Sequence, residues 1–333
     1  MRRPEFWDRP PGLAAALLAP AGALWTAGGR IRQLAARPAR AAVPVVCVGN
    51  VTVGGSGKTP VALSLARRLA ALRPVFLTRG HGGRLAGPVA VDLARHAARD
   101  VGDEALLLAR AATTVVARDR RAGAALAAHL GASVVIMDDG LQNPGLRKDL
   151  SLLVVDGEAG FGNGLVMPAG PLREPVGDGL ARADAVVIVG EDRHGLAAML
   201  GERRPLLRAR IEATEAGAVV ARRRVVAFAG IGRPEKFFAT LRALGCDLVA
   251  AHPFADHHVF TPDEIMRLVE AAAARDALPV TTEKDWVRLP AEAQPMVTVL
   301  PVMLRWADAA ALDRVLAPLS PAAAPPPAPG PAA

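Results

Sequence analysis

Six consecutive residues carry the clearest chemistry in the chain: Gly54-Gly55-Ser56-Gly57-Lys58-Thr59. Glycines let backbone N–H groups turn inward on phosphate oxygens with no Cβ in the way. A lysine beside them reaches the β and γ phosphates, and the threonine offers its hydroxyl to Mg²⁺. The strict G-x-x-x-x-G-K-[ST] spacing puts glycine at position 52, where this chain has Thr52, yet three permissive glycines remain. The surroundings agree. Residues 43–48 (VPVVCV) form the β-branched run of a buried parallel strand. A helical pattern follows over 61–72, with Leu63, Leu65, Ala66 and Leu69 as its apolar members.

A phosphate loop needs an acid from a second strand to hold its metal. Residues 133–137 (SVVIM) read as that strand, ending in Asp138-Asp139-Gly140-Leu141-Gln142. Carboxylates at the carboxyl end of a buried strand lie where open α/β sheets bind ligands. An Asp-Gly turn accounts for Asp139-Gly140 but not for Asp138 beside it. Gly102-Asp103-Glu104 precedes a helical run at 105–111, and acids there serve as caps as readily as catalysts. Thr78-Arg79-Gly80-His81-Gly82-Gly83 follows another apolar strand (75–77) and puts one fixed cation, Arg79, at the same sheet edge.

Two later segments hold further candidates. Asp256-His257-His258 stands before a helix whose N-cap is Thr261. Zinc spacing is absent, which leaves a catalytic or orienting imidazole and a structural one as alternatives. Thr281-Thr282-Glu283-Lys284-Asp285 follows a short strand, and lysine occurs at only four positions: 58, 148, 236 and 284. Lys284 between two acids therefore marks a specific salt link or ligand contact. Residues 161–175 (FGNGLVMPAGPLREP) form a long Gly/Pro-rich loop with apolar members, a pattern of functional loops.

The elements that must position these residues belong to a chain of 333 residues, long enough for two domains. Hydrophobic residues make up 51% and charged residues 22%, which excludes a disordered protein. No apolar run reaches the roughly 18 to 20 uncharged residues of a spanning helix, which excludes a multi-pass membrane protein. Aromatics are only 4%, with no tyrosine, so no set of stacking rings serves nucleic acid. Cys47 and Cys246 lie too far apart for a zinc knuckle or a disulfide framework.

Net charge is +8, and residues 1–40 supply +5 of it through seven arginines (Arg2, Arg3, Arg9, Arg30, Arg32, Arg37, Arg40) against Glu5 and Asp8. Beside the apolar stretch 12–27 (GLAAALLAPAGALWTA), that surplus reads as attraction to an anionic membrane surface. A helix packed on its own domain and a cleaved signal are the other readings; a loop that needs cytoplasmic ATP disfavours the signal.

Together these blocks resemble the tetraacyldisaccharide 4′-kinase family, the lipid A 4′-kinases of Gram-negative bacteria. The resemblance runs from Phe6-Trp7 to about Arg305. It rests on GNVTVGGSGKTP (49–60), TRGHGG (78–83), GDE (102–104), DDGLQ (138–142), MPAGPLREP (167–175), FADHHVF (254–260) and TEKD (282–285). Thr52 is usual in the family at that position, while His81 stands where tyrosine is more common.

The resemblance implies transfer of the γ-phosphate of ATP to the 4′-hydroxyl of a tetraacyldisaccharide 1-phosphate, giving lipid IVA. By motif, Asp103 resembles the catalytic base, His257 its dyad partner, and Lys58 a third catalytic group. Thr52, Val53, Gly54, Gly55, Ser56, Gly57, Lys58 and Thr59 are expected around ATP, and Thr59, Glu104, Asp138 and Asp139 around Mg²⁺. Substrate contacts are expected from Arg79, Gln142 and Arg173. The expected location is the cytoplasmic face of the inner membrane, with the protein a monomer and no nucleic-acid partner.

Strand and helix patterns alternate through Val189, which predicts a P-loop NTPase-type α/β fold: a mostly parallel sheet flanked by helices. A smaller α/β lobe and an N-terminal membrane-associated helix complete it. The expected divisions are 1–40 for that basic, apolar helix, 41–204 for the kinase core, 205–224 for a connection, 225–317 for the smaller lobe and 318–333 for a disordered Ala/Pro tail. The site then lies in the cleft, with His257 reaching in from the smaller lobe. The main rival is a membrane-associated P-loop switch ATPase of the partition type. Such proteins carry a lysine just before the glycine pair, where this chain has Val53.

Overall fold

The computed structural model describes residues 4–200 and 204–319. Arg2, Arg3 and residues 320–333 of the expected 318–333 tail lie outside the described residues; Pro318 and Leu319 instead end a 3-10 turn (Ala317–Leu319), with Leu319 buried in the larger core. Strands β1 (Val45–Gly49), β2 (Pro74–Thr78), β3 (Val89–Ala90), β4 (Thr114–Val116), β5 (Val134–Asp138), β6 (Leu150–Asp156), β7 (Ala185–Val189) and β8 (Leu206–Ala213) belong to one sheet. Strands β9 (Arg224–Ala229), β10 (Asp247–Pro253), β11 (Leu278–Thr282) and β12 (Thr298–Leu300) form a second. Strand β13 (Val302–Trp306) then rejoins the first.

Helices α1 (Leu13–Ala35), α2 (Lys58–Arg68), α3 (Ala98–Val101), α4 (Asp103–Ala109), α5 (Arg120–His129), α6 (Val176–Ala181) and α7 (Leu196–Leu200) belong to the larger lobe. Helices α8 (Pro234–Ala243), α9 (Pro262–Ala273) and α10 (Glu283–Trp286) cover the smaller sheet, and α11 (Ala309–Leu316) returns to the larger one.

The large sheet runs β13-β8-β7-β6-β1-β5-β2-β4-β3, parallel except at its two ends. Its inner strands are apolar on both faces because helices cover both. Along β1, Val46 and Val48 enter a core with Val61, Leu65 and Leu312, while Val45 and Cys47 enter another with Ala124, Leu141 and Leu196. Alternation of side chains across the strand makes that division. Strand β1 lies between β5 and β6, and the chain has strands to either side of it. The loop after β1 thus opens at a switch point, where such sheets bind ligands. The small sheet, β10-β9-β11-β12, is wholly parallel with a core on each face.

Two segments differ from expectation. Residues 206–213, read as connection, form β8, parallel to β7 and antiparallel to β13. Strand β8 buries Leu207 and Ala209 but exposes its arginines, so its half-covered face resembles a polar linker. Residues 302–316, read as part of the smaller lobe, return to the larger sheet, where Leu304, Leu312 and Leu316 join its core.

Helix α1 has 23 residues, of which only Ala15 and Gly22 are buried. A Cβ at Gly22 would lie 2.8 Å from the Val166 carbonyl oxygen, so the missing side chain lets the helix dock on the 161–175 loop. Its outer face leaves Leu13, Leu17, Leu24, Ile31 and Leu34 exposed. Among the described residues no helix is long and apolar enough to cross a membrane.

Candidate active site

The phosphate loop is built by two left-handed glycines. Gly57 caps α2 in the left-handed region, with φ of +86°, and Gly54 adopts φ of +106°. Around Gly54 and Gly55 a Cβ would meet nothing within 4 Å, so that side of the loop is open. The Lys58 ammonium donates to Asn50 Oδ1 at 3.2 Å and lies 3.7 Å from Asp139 Oδ1. Thr52 and Val53 brace the loop instead of lining it. Thr52 bridges to Leu172, and the Val53 N–H donates to the Pro171 carbonyl at 2.8 Å.

Neighbouring Asp138 and Asp139 diverge. Asp138 is 1% exposed; its Oδ2 accepts the Thr59 hydroxyl at 3.3 Å, and its Oδ1 has no hydrogen-bond partner. Burial, and then the nearby Glu104 charge, push its carboxyl up to about 7. Asp139 turns the chain with φ of +55° and gives both carboxylate oxygens to Arg173, at 2.8 and 2.9 Å. Burial opposes its charge, but Lys58 and then Arg173 outweigh it and hold it down to about 2.

These facts bear on a metal. Among the described residues no three His, Cys, Asp or Glu are grouped to hold an ion by themselves. Mg²⁺ commonly uses one or two carboxylates and completes its shell with water and phosphate oxygens. An orphaned buried carboxylate oxygen beside a hydroxyl, with Glu104 close enough to raise its pKa, fits such an ion. Asp139 is already neutralised by two cations.

Asp103 starts α4 beside the end of β2. Gly102 before it has φ of +87°, and a Cβ there would lie 2.3 Å from the His81 carbonyl oxygen, so only glycine fits. Asp103 is 4% exposed. Its Oδ1 accepts the Glu104 N–H at 2.9 Å, and its Oδ2 meets three groups of the smaller lobe. These are His257 Nδ1 at 2.9 Å, Arg288 Nε at 3.7 Å and Lys284 Nζ at 4.0 Å. Burial works against the Asp103 charge, but the His257 hydrogen bond and then Lys284 prevail and lower it to about 2. The same bond raises the His257 pKa, against burial.

His257 and His258 have separate tasks. His257 takes φ of +59° and turns its ring to Asp103, edge-on to His81 at a centroid distance of 5.6 Å. His258 packs between Phe254 and Phe260 and meets both Glu264 oxygens at 3.2 Å. Glu264 also completes the Thr261 capping box of α9. His258 is therefore the structural histidine.

Of the expected substrate contacts, Arg173 serves Asp139. Gln142 spends its amide N–H groups on the Asn50 carbonyl at 2.7 Å and Glu174 at 2.8 Å. Arg79 is exposed at the end of β2.

Sequence reasoning missed Asn50, Arg288 and the clasp between lobes. Asn50 was signalled by a polar residue at the end of an apolar strand. Arg288 lies outside every motif, yet it is buried, donates to the Gly230 carbonyl at 2.8 Å and pairs with Asp285. Across the lobes, Asp156 accepts Lys236 at 2.9 Å and Arg233 at 3.1 Å. A Cβ at Gly232 would lie 3.2 Å from the Gly55 nitrogen, so the smaller lobe stands directly against the phosphate loop.

A family model described as "LpxK: Tetraacyldisaccharide-1-P 4'-kinase" matches residues 14–320. A tetraacyldisaccharide 4′-kinase of Rhodospirillum centenum is 59% identical over 326 residues, covering 96% of this chain and 97% of that one. Its counterpart from Paramagnetospirillum magneticum is 56% identical over 309 residues, 92% and 95% of the two chains. Among solved structures, the "apo" form of LpxK from Aquifex aeolicus in complex with ATP superposes with a TM-score of 0.75 at 26% identity. That match covers 92% of this chain and 99% of the other. The phosphate loop, the Asp138 strand and the cross-lobe Asp103–His257 pair thus stand in a chain that belongs to the tetraacyldisaccharide-1-P 4′-kinase family.

Proposed function

We propose that this protein transfers the γ-phosphate of ATP to the 4′-hydroxyl of a tetraacyldisaccharide 1-phosphate, producing lipid IVA and ADP in lipid A biosynthesis. The observation that carries the reading is the 2.9 Å contact between Asp103 of one lobe and His257 of the other, close to an open phosphate loop. A switch ATPase has no use for that pair.

In this reading the N–H groups of Gly54–Thr59 and the Lys58 ammonium bind the ATP phosphates. Thr59, Asp138 and Glu104 would hold Mg²⁺, with Asp139 keeping Lys58 and Arg173 in place. Mg²⁺ held there would supply positive charge to offset that of the phosphates. Asp103 orients the 4′-hydroxyl and takes its proton as the oxygen bonds to the γ-phosphorus and the bond to the ADP oxygen breaks. A carboxylate held near 2 is a weak base, which suffices because phosphoryl transfer has a loose transition state and asks mainly for positioning. His257 holds the Asp103 carboxylate and stabilises its charge.

The substrate's acyl chains keep it in the bilayer, at about 0.8 kcal/mol per buried CH₂, so the enzyme works at the membrane. Helix α1 serves that need in the reading: Leu13, Leu17, Leu24 and Ile31 recur at spacings of four and seven along its outer face. Arg37 and Arg40 are exposed just beyond the helix for anionic headgroups at the cytoplasmic face of the inner membrane, while Arg30 is paired with Asp178 and Arg32 donates to the Gln142 carbonyl. Both halves of the site come from one chain, so a monomer suffices.

The test is label transfer from γ-labelled ATP to detergent-dispersed lipid, wild type beside Lys58→Ala. Labelled lipid with wild type alone supports the reading. Hydrolysis stimulated by bare liposomes, with no labelled lipid, contradicts it and favours the switch ATPase.

A further inference from the structure

Of 40 basic residues other than histidine, only Lys58, Lys148, Lys236 and Lys284 are lysine. Each stands where a compact point donor meets several acceptors, a task that a flat guanidinium fork performs poorly. Lys148 donates to the Leu141 and Asn143 carbonyls, and Lys236 to both Asp156 oxygens and Glu158. Lys284 occupies the seam between the lobes. Its Nζ lies 3.4 Å from Glu104 Oε1, 3.5 Å from His257 Nε2, 3.7 Å from Asp256 Oδ1 and 4.0 Å from Asp103 Oδ2. Glu104 and Asp103 belong to the larger lobe, His257 and Asp256 to the smaller.

An ammonium has donors and no acceptor. A bond from Lys284 to His257 Nε2 therefore requires a lone pair on that nitrogen, which leaves the ring proton on Nδ1. Nδ1 is the nitrogen 2.9 Å from the Asp103 carboxylate, which needs a donor. Lys284 and Asp103 thus demand the same tautomer from opposite ends of the ring.

The element that presents Lys284 is firmly fixed. The Thr282 hydroxyl caps α10, and fully buried Asp285 accepts the Gly230 N–H at 3.0 Å. Arg288 ties the same segment to the Gly230 carbonyl. His257, in contrast, stands on a loop in a left-handed conformation, and its ring takes direction from what surrounds it.

We propose that Lys284 is a positioning residue: it fixes His257 in the Nδ1–H tautomer, so that the Asp103 base is assembled only where the two lobes meet. It acts through His257 and touches no reacting atom. The inference rests on the phosphotransfer reading above.

Two measurements test it. Ring ¹⁵N NMR of the resting protein, in alkaline buffer where imidazole is neutral, needs no turnover; His257→Gln assigns the signal. Wild type should show the Nδ1–H form and Lys284→Met a mixture. In the transfer assay Lys284→Met should lose about 10- to 100-fold in kcat, the usual cost of removing an orienting partner. The fall in kcat should exceed any change in the KM for ATP, since the phosphate loop is untouched.

The double variant Lys284→Met/His257→Ala should be no slower than His257→Ala alone, because both act through one ring. Lys284→Arg, with charge but no point geometry, should recover part of the rate. Lys284→Gln carries the same tests should the Met variant not fold. Losses that multiply in the double variant, or an unchanged His257 tautomer in Lys284→Met, overturn the proposal. A wild type that binds ATP without labelling lipid overturns the phosphotransfer reading and leaves the NMR result standing, so the two failures are distinct.

Discussion

Arg173 grips both carboxylate oxygens of Asp139, at 2.8 and 2.9 Å, while its own carbonyl accepts the Trp25 indole N–H at 2.9 Å. One residue of the Gly/Pro-rich loop thus joins the outer helix α1 to the floor of the phosphate site. Asp139 is shared with Lys58, 3.7 Å away, so Arg173 also decides how strongly Asp139 pulls on that lysine. Arg173→Ala should leave Lys58 as the chief counter-charge and draw it from the phosphates. We expect ATP affinity to fall about tenfold, or about 1.4 kcal/mol, by nucleotide titration. Unchanged affinity would mean that Arg173 only braces the loop.

Gly102→Ala should damage fold and function together. The new Cβ would lie 2.3 Å from the His81 carbonyl oxygen, on a backbone with φ of +87°. Strain at such positions costs about 1 to 3 kcal/mol before any clash is counted. A lower Tm with a larger loss in kcat is expected, because Asp103 is the next residue. A normal Tm and kcat would show that the turn relaxes freely.

His257 should make stability depend on pH in a defined direction. Its pKa is raised by the Asp103 hydrogen bond, so its bond across the lobes stabilises most below the unfolded value of about 6.5. That contribution is lost as pH rises through the folded pKa. Partial exposure of the ring adds screening, so the effect is modest. The Tm difference between wild type and His257→Gln should shrink toward alkaline pH; a difference that grows would contradict the assignment.

Leu17→Glu/Leu24→Glu should detach the protein from vesicles without unfolding it. These side chains are 73% and 76% exposed, and surface changes of this kind shift stability by about 0.5 kcal/mol or less. Flotation with anionic vesicles should show wild type bound and the variant free. Equal binding would remove α1 from the membrane role.

The phosphate loop, the strand before it and the Asp138-Asp139 pair were legible in sequence because each is written within a few adjacent residues. The different environments of the two aspartates were not, since they arise from one left-handed residue and from Arg173, 34 positions away. His257 and His258 are indistinguishable locally; Phe254, Phe260 and Glu264 decide which one is structural. Strand β8 escaped notice because its exposed face carries arginines, and β13 because its partner lies about 90 residues earlier. Arg288 has no motif; only its burial against Asp103 and Asp285 reveals it.

The most direct test of the account is Asp103→Asn, which keeps the side chain's shape and removes its capacity to take a proton. ATP binding and phosphoryl transfer to the lipid should be measured side by side, the latter as a single turnover. ATP affinity should stay near that of wild type, and transfer should slow by roughly 10² to 10⁴, the usual worth of a general base. Transfer at the wild-type rate would contradict it, as would a loss of ATP binding that accounts for the whole defect.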